Sequence, residues 1–249
     1  MQNKIIYGVP FSQPVRAVMW LMLIKKFPFD LKLINPGSSS QGGSRHTEYL
    51  KKFPTGTIPS FEDPETGFVI SESHAIMCYL CNKYEWHDLY PINPEERAKV
   101  DSYLHLHHRN VREASIGLVA PKVRKDLDFS EDFLKSSRGN IEKAFKAIEN
   151  GWLNNSSFLV GDSMTIADIS AYVEIGQLQS IFTNVYNFDQ YPNIQRWLKD
   201  MRGADYHEEI HIALYELGDI SKKAPLMETI INANKKAFLI IQETLTKMQ

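Results

Sequence analysis

Side chains able to do chemistry fall in a few short stretches of this 249-residue chain. Ser12 stands two residues ahead of Pro14, where a helical pattern begins. Its hydroxyl can close that helix N-terminus or donate a hydrogen bond to an anion held there, and spacing alone leaves both open. Tyr7 offers a phenol at the end of an apolar run, five residues earlier. Glu72 and Ser73 set a carboxylate acceptor beside a hydroxyl donor at another helix start. That pairing suits a group carrying both an ammonium and a carboxylate. Arg112 brings a fixed positive charge close to His105, His107 and His108. Only His105 and His108 share a helix face, and no further ligand is evident, so the cluster does not read as a metal site. The two cysteines, Cys78 and Cys81, lie in a helical pattern and read as small buried apolar residues.

An apolar fraction of 43% is enough for one large domain or two modest ones, each with its own core. The net charge is −2 and Lys and Arg are scattered, which argues against nucleic acid or anionic lipid as a partner. The first residues run straight into a strand-like segment without the apolar core of a signal peptide, and no stretch is long enough to span a membrane. Two cysteines are too few for a secreted disulfide framework, so a reducing, cytoplasmic setting is expected.

The elements that must position these residues follow from periodicity. Residues 4–9 read as a strand, a helix follows from Pro14 with the proline in its first turn, and 29–34 alternate as a second, parallel strand. The Gly- and Ser-rich stretch 36–44 reads as a mobile loop and 45–53 as a short helix. Residues 58–62 and 68–71 flank a turn-forming Asp63-Pro64-Glu65-Thr66-Gly67, a hairpin signature, and a third helix closes near Glu85. After a Pro-rich linker the pattern is helical only, over 95–121, 130–153, 165–182, 192–202, 206–217 and 226–248. Thr165 and Asp168 stand as a capping box. In the last segment Ile230, Ile231, Ala237, Phe238, Ile241 and Leu245 leave one face needing cover.

Five motifs, in order and at the right spacing, resemble the cytosolic glutathione S-transferases, and the resemblance covers nearly the whole chain. They are the βαβ-α-ββα element order, Thr57-Ile58-Pro59-Ser60, Glu72-Ser73-His74-Ala75-Ile76, the stretch from Gly161 to Asp168, and Tyr191-Pro192-Asn193-Ile194-Gln195-Arg196-Trp197. Within the family, Ser12-Gln13-Pro14-Val15-Arg16-Ala17-Val18 is similar to the serine-type segment of the theta class. The resemblance implies a thioredoxin-like α/β domain (βαβ-α-ββα) over 1–86, a linker over 87–94, and an all-α domain over 95–249 forming the acceptor-substrate site. It implies a homodimeric detoxifying transferase that conjugates reduced glutathione to small electrophiles such as alkyl halides, sulfate esters and peroxides, without a metal.

In that reading Ser12 stabilises the glutathione thiolate, and Arg112 supports leaving-group charge. Gln13, Arg45, His46, Ile58, Pro59, Glu72 and Ser73 bind the tripeptide, with a cis bond before Pro59. The chain departs from the theta pattern where Thr57 replaces a common lysine and Ser44 a common histidine, so Arg45 or His46 is expected to meet the glycyl carboxylate. A thioredoxin-type redox pair would sit where Ser12 and Gln13 are, which removes that role from Cys78 and Cys81. The last helix is expected either to shield the active site or to complete the helical core. The alternative function is a non-catalytic assembly module of the same fold.

Overall fold

A computed structural model describes residues 2–125 and 127–248. Met1, at the start of the expected first domain, and Asp126 and Gln249, within the expected helical one, lie outside the described residues. The chain opens with β1 (Lys4–Gly8), α1 (Gln13–Ile24) and β2 (Phe29–Leu33), followed by α2 (Thr47–Lys52), β3 (Ser60–Asp63), β4 (Phe68–Ser71) and α3 (Ser73–Lys83). The sheet order is β2-β1-β3-β4. β1 and β2 are parallel, with Lys4 opposite Phe29 and Gly8 opposite Leu33, and β3 runs antiparallel to β1 with Phe61 opposite Ile6. This is the thioredoxin-like order expected from the sequence.

Alternation along β1 sorts the core. Ile5 and Tyr7 join Ile34, Tyr49 and Phe53 in one apolar cluster, while Ile6 faces the other way and is fully buried. Every residue of α1 from Val15 to Leu23 is buried. At about 1.5–3 kcal/mol for each large apolar side chain removed from water, α1 is a firm anchor for the loop that carries Ser12. A Cβ at Gly8 would lie 2.5 Å from Val15 Cγ2, so glycine is what lets β1 end this close to α1.

Packing divides the chain into two compact units, and the division differs from the single cut expected at the linker. The first unit runs to Glu85 and also takes in Asp205–Ala213 and the chain from Asn234 on, while the helical unit holds Trp86–Ala204 and Leu214–Ala233. Trp20 explains part of the difference. Fully buried on α1, it donates from Nε1 to the Asp205 carbonyl at 2.8 Å, and its ring meets those of His207 and His211 edge-on at 5.9 and 5.3 Å. The linker residues are not loose either. Leu89 and Tyr90 are buried, the Ile166 N–H donates to the Leu89 carbonyl at 2.9 Å, and the Arg97 guanidinium lies 4.4 Å from the Tyr90 ring centre.

The helices after the linker are α4 (Pro94–His107), α5 (Ala120–Val123), α6 (Glu131–Ala147), α7 (Ile166–Ile175), α8 (Pro192–Arg202), α9 (His207–Leu217) and α10 (Met227–Lys247). The helix expected over 95–121 is broken: α4 ends at His107, and a π-helical stretch, Ala114–Val119, precedes α5. α7 is buried at every residue and starts on the expected capping box. Asp168 does more than cap. One carboxylate oxygen accepts from the Thr165 N–H at 2.9 Å, and the other takes the Leu159 N–H at 2.8 Å and Trp197 Nε1 at 3.0 Å. In α10, Ala233, Ala237, Ile241 and Leu245 are buried at helical spacing, whereas Ile231, expected on the covered face, is 46% exposed.

Candidate functional site

Ser12 is the N-cap of α1 with extended backbone (φ −70°, ψ 125°), yet its side chain makes no capping bond. Its N–H turns back to the Val9 carbonyl at 3.0 Å, and its own carbonyl starts the helix by accepting from Arg16 at 2.9 Å. No acidic residue occupies the first turn of α1. The positive end of the helix therefore lacks a carboxylate from its own first turn, with a half-buried hydroxyl beside it, which favours an anion at that point. Gln13 is buried as the first residue of the helix.

Tyr7 has other work. Its hydroxyl donates to Glu62 Oε2 at 2.5 Å, and Glu62 also pairs with Lys52 at 2.5 Å. Burial first, and then the bond to this carboxylate, push the phenol well above its ordinary range. The phenol's proton is thus already engaged by this carboxylate.

The second helix start is strained. Glu72, N-cap of α3, has φ 76° and ψ 116°, its side chain is exposed, and it makes no capping bond. A non-glycine residue in such a conformation costs about 1–3 kcal/mol, and sites of this kind cluster where ligands bind. Ser73 follows as the first residue of α3 and is buried.

The Ile58–Pro59 bond is cis, and Ile58 stands two residues ahead of β3, outside the sheet register. A residue that sequence reasoning missed, Tyr49, holds this bend. The Tyr49 hydroxyl donates to the Thr57 carbonyl at 2.8 Å and lies 3.0 Å from Ser60 Oγ, which in turn is 2.7 Å from Ser71 Oγ. An apolar-looking position on α2 gave no sign of the role of Tyr49.

The loop at 36–44, expected to be mobile, is pinned by its own backbone. Asn35 donates to the Gly42 carbonyl at 2.9 Å, Ser44 to Asn35 at 3.0 Å and Arg45 to Ser38 at 2.9 Å. Ser44 is buried and accepts from the Gly37 N–H at 2.9 Å. His46 caps α2, its Nδ1 accepting from the Glu48 N–H at 3.3 Å, which leaves Nε2 for another partner. Arg45 is exposed beside it.

In the helical unit the Arg112 guanidinium pairs with Glu174, a carboxylate 1% exposed. Ser115 donates to the other oxygen of Glu174, and Gln177 Nε2 lies 2.5 Å from Ser115 Oγ. His107 Nε2 is 4.0 Å from the same carboxylate. Among the described residues no three His, Cys, Asp or Glu side chains form a group that could hold a metal. A cavity of about 650 Å³ opens within this unit, with Tyr186, Phe188, Lys199 and Arg202 among its walls, and none of the candidate residues lines it. No helix of the described residues is long and apolar enough to cross a membrane.

Sequence comparison matches residues 6–95 to the glutathione S-transferase N-terminal domain and residues 110–205 to the glutathione S-transferase C-terminal domain. Glutathione S-transferase T3 of Arabidopsis thaliana is 28% identical over 238 residues, 90% of this chain. The chain spans only 39% of that relative's length. Human glutathione S-transferase theta-1 is 25% identical over 225 residues, 87% of this chain and 91% of the relative. A Drosophila mojavensis glutathione transferase homologue, solved with bound glutathione, is similar in fold with a TM-score of 0.67 at 24% identity, covering 98% of each chain.

Proposed function

Since the chain belongs to the glutathione S-transferase family, with theta-class relatives, we propose that it conjugates reduced glutathione to small electrophiles and that Ser12 holds the thiolate. The observation that carries this is the Ser12 hydroxyl left out of its own helix cap, beside a helix N-terminus whose first turn holds no acid. The thiol of glutathione has an unperturbed pKa of about 8.5, and the thiolate is the nucleophile. A hydroxyl donating to the sulfur, together with the helix dipole, favours the charged form and lowers that pKa. The thiol proton goes to solvent, a C–S bond forms at the electrophilic carbon, and the leaving group departs with its electron pair. Ser12 forms no covalent bond at any stage.

The rest of the tripeptide has matching groups. The exposed carboxylate of Glu72 would accept from the γ-glutamyl ammonium, while Ser73 and the N–H groups opening α3 meet the carboxylate. Ile58, outside the sheet, offers its N–H and C=O to the cysteinyl unit in strand-like pairing, with Pro59 shaping the bend and Gln13 lining the start of α1. Arg45 and His46 Nε2 are the donors proposed for the glycyl carboxylate. In Arg112 the guanidinium keeps donors beyond the one engaged by Glu174, and these are proposed to support charge on the leaving group. A cytoplasmic homodimer serving detoxification, with the acceptor held by the helical half, completes the proposal. Calorimetric titration with glutathione, on the wild type and Ser12→Ala, tests it together with the thiol pKa. Binding with an unshifted thiol in both proteins would indicate an assembly module instead.

A further inference from the structure

The loop that carries Ser12 is shaped by more than the strand and helix it joins. Phe11, the preceding residue, has both of its backbone groups engaged. Its N–H donates to Asn234 Oδ1 at 2.9 Å, and its carbonyl accepts from Arg16 Nη1 at 2.6 Å. The same Arg16 nitrogen lies 3.5 Å from the Pro10 carbonyl, and the Ser12 N–H is held by Val9 at 3.0 Å. The two peptide groups leading into Ser12 are thus each fixed at both their N–H and their C=O. That leaves little rotation at Phe11 through which the Ser12 hydroxyl could move.

Arg16 is fully buried, one helical turn beyond Ser12, and its bond to Phe11 is charge-assisted. Asn234 arrives from the other end of the chain, 223 residues along, on α10, and belongs to the same compact unit. Because a backbone N–H can only donate, the partner atom must be the amide oxygen, so the orientation of Asn234 is fixed by chemistry. Asparagine is a weak helix former, yet here it stands inside a 21-residue helix next to buried Ala233. Helix propensity does not explain the residue, whereas the acceptor it provides does.

We propose that Asn234 is a positioning residue for the transferase reaction: through the Phe11 peptide it sets the Ser12 hydroxyl at the distance from the sulfur that stabilises the thiolate. The last helix is then part of the thiol-activating apparatus. This inference rests on the reading of Ser12 as the thiolate's donor. Misplacement of a reacting group by about 1 Å can cost on the order of a hundredfold, so a bond that restrains this loop has leverage.

The test compares Asn234→Ala, which removes the acceptor and favours helix, with Asn234→Gln, which keeps a neutral amide acceptor but displaces it. Ultraviolet titration of bound glutathione gives the thiol pKa, calorimetry gives the glutathione affinity, and Ser12→Ala runs in parallel. The alanine protein should raise the bound thiol pKa by about half a unit to one unit, a three- to tenfold loss of thiolate at a pH below both values. Glutathione affinity should change less than about twofold, since the γ-glutamyl and glycyl contacts are untouched, and Asn234→Gln should raise the thiol pKa in the same direction. If Ser12→Ala shifts the pKa and Asn234→Ala does not, the positioning role is overturned while the Ser12 reading stands. If Ser12→Ala itself leaves the pKa unmoved, both fall. Should the alanine protein not fold, Asn234→Gln, whose carbonyl lies one bond farther out, must show the same rise for the inference to survive.

Discussion

Polar side chains are used in opposite ways in the two units. In the helical unit Arg112, Ser115, Glu174 and Gln177 bond to one another around a carboxylate that is 1% exposed. In the first unit Ser12 and Glu72 stand at helix starts, and neither side chain makes a capping bond. A buried carboxylate must be satisfied within the chain, because leaving it unpaired costs several kcal/mol. A half-exposed hydroxyl or an exposed carboxylate can wait for a ligand. Glu72 also carries backbone strain at φ 76° with no capping bond from its side chain to offset it. The contrast separates groups already bonded within the chain, Arg112 among them with donors to spare, from groups the fold holds ready.

The largest effect expected from that contrast is in the helical unit. Arg112→Ala leaves Glu174 buried without its guanidinium, and denaturant unfolding should show a loss of about 3–5 kcal/mol. Glutathione affinity should stay near the wild-type value. A stable variant with weakened glutathione binding would reverse the assignment.

Glu72→Gly should do the opposite. Glycine relieves the positive φ, so stability should hold or rise by about 1 kcal/mol, while glutathione binding weakens by roughly 2–4 kcal/mol for want of the ammonium's partner. Calorimetry and thermal unfolding on the one variant check both signs, and unchanged affinity would remove Glu72 from the site.

A smaller effect separates the units by pH through two buried aspartates. At Asp63 burial alone would raise the carboxyl, but the ammonium groups of Lys83 and Lys4, at 2.7 and 2.9 Å, outweigh it and hold the group well below its ordinary 3.8. Its stabilising contribution is complete above that ordinary value and is lost as the pH falls through the lower folded one. At Asp168 burial dominates, only neutral N–H and O–H donors from Leu159, Thr165 and Trp197 oppose it, and the carboxyl is pushed up to about 6. There the folded state binds the proton more readily than the unfolded chain, so its contribution is present at low pH and is lost as the pH rises towards 6. The net gain on acidifying from pH 7 is on the order of 2–3 kcal/mol from this group. It should vanish in Asp168→Asn, whereas Asp63→Asn should flatten the acid limb below it. Parallel stability profiles in wild type and Asp168→Asn would contradict the assignment.

Much of the architecture was legible because it is local. Pro14 fixed the start of α1, the turn from Asp63 to Gly67 marked the hairpin, and Thr165 with Asp168 marked a helix start that the structure shows as a full capping box. What escaped depends on partners far along the chain. Spacing showed that α10 has a face to cover but not that Asn234 would reach Phe11, nor that Arg112 would meet Glu174, 62 residues away. It also could not show that His207 and His211 of α9 would pack on Trp20. The break after His107 was missed because apolar periodicity does not distinguish a continuous helix from one interrupted by a π-helical stretch. Of the candidate site, the residue types were readable from motifs. The strain at Glu72 and the uncapped hydroxyl of Ser12 needed coordinates.

The proposed chemistry requires that Ser12 make the sulfur of glutathione a thiolate. Ultraviolet absorbance of the bound thiolate, followed against pH in the wild type and in Ser12→Ala, measures this directly. The prediction is a bound thiol pKa below the free value of about 8.5 in the wild type, a return towards that value in Ser12→Ala, and a turnover reduced by a factor of about 10 or more. Superimposable titration curves for the two proteins would contradict it.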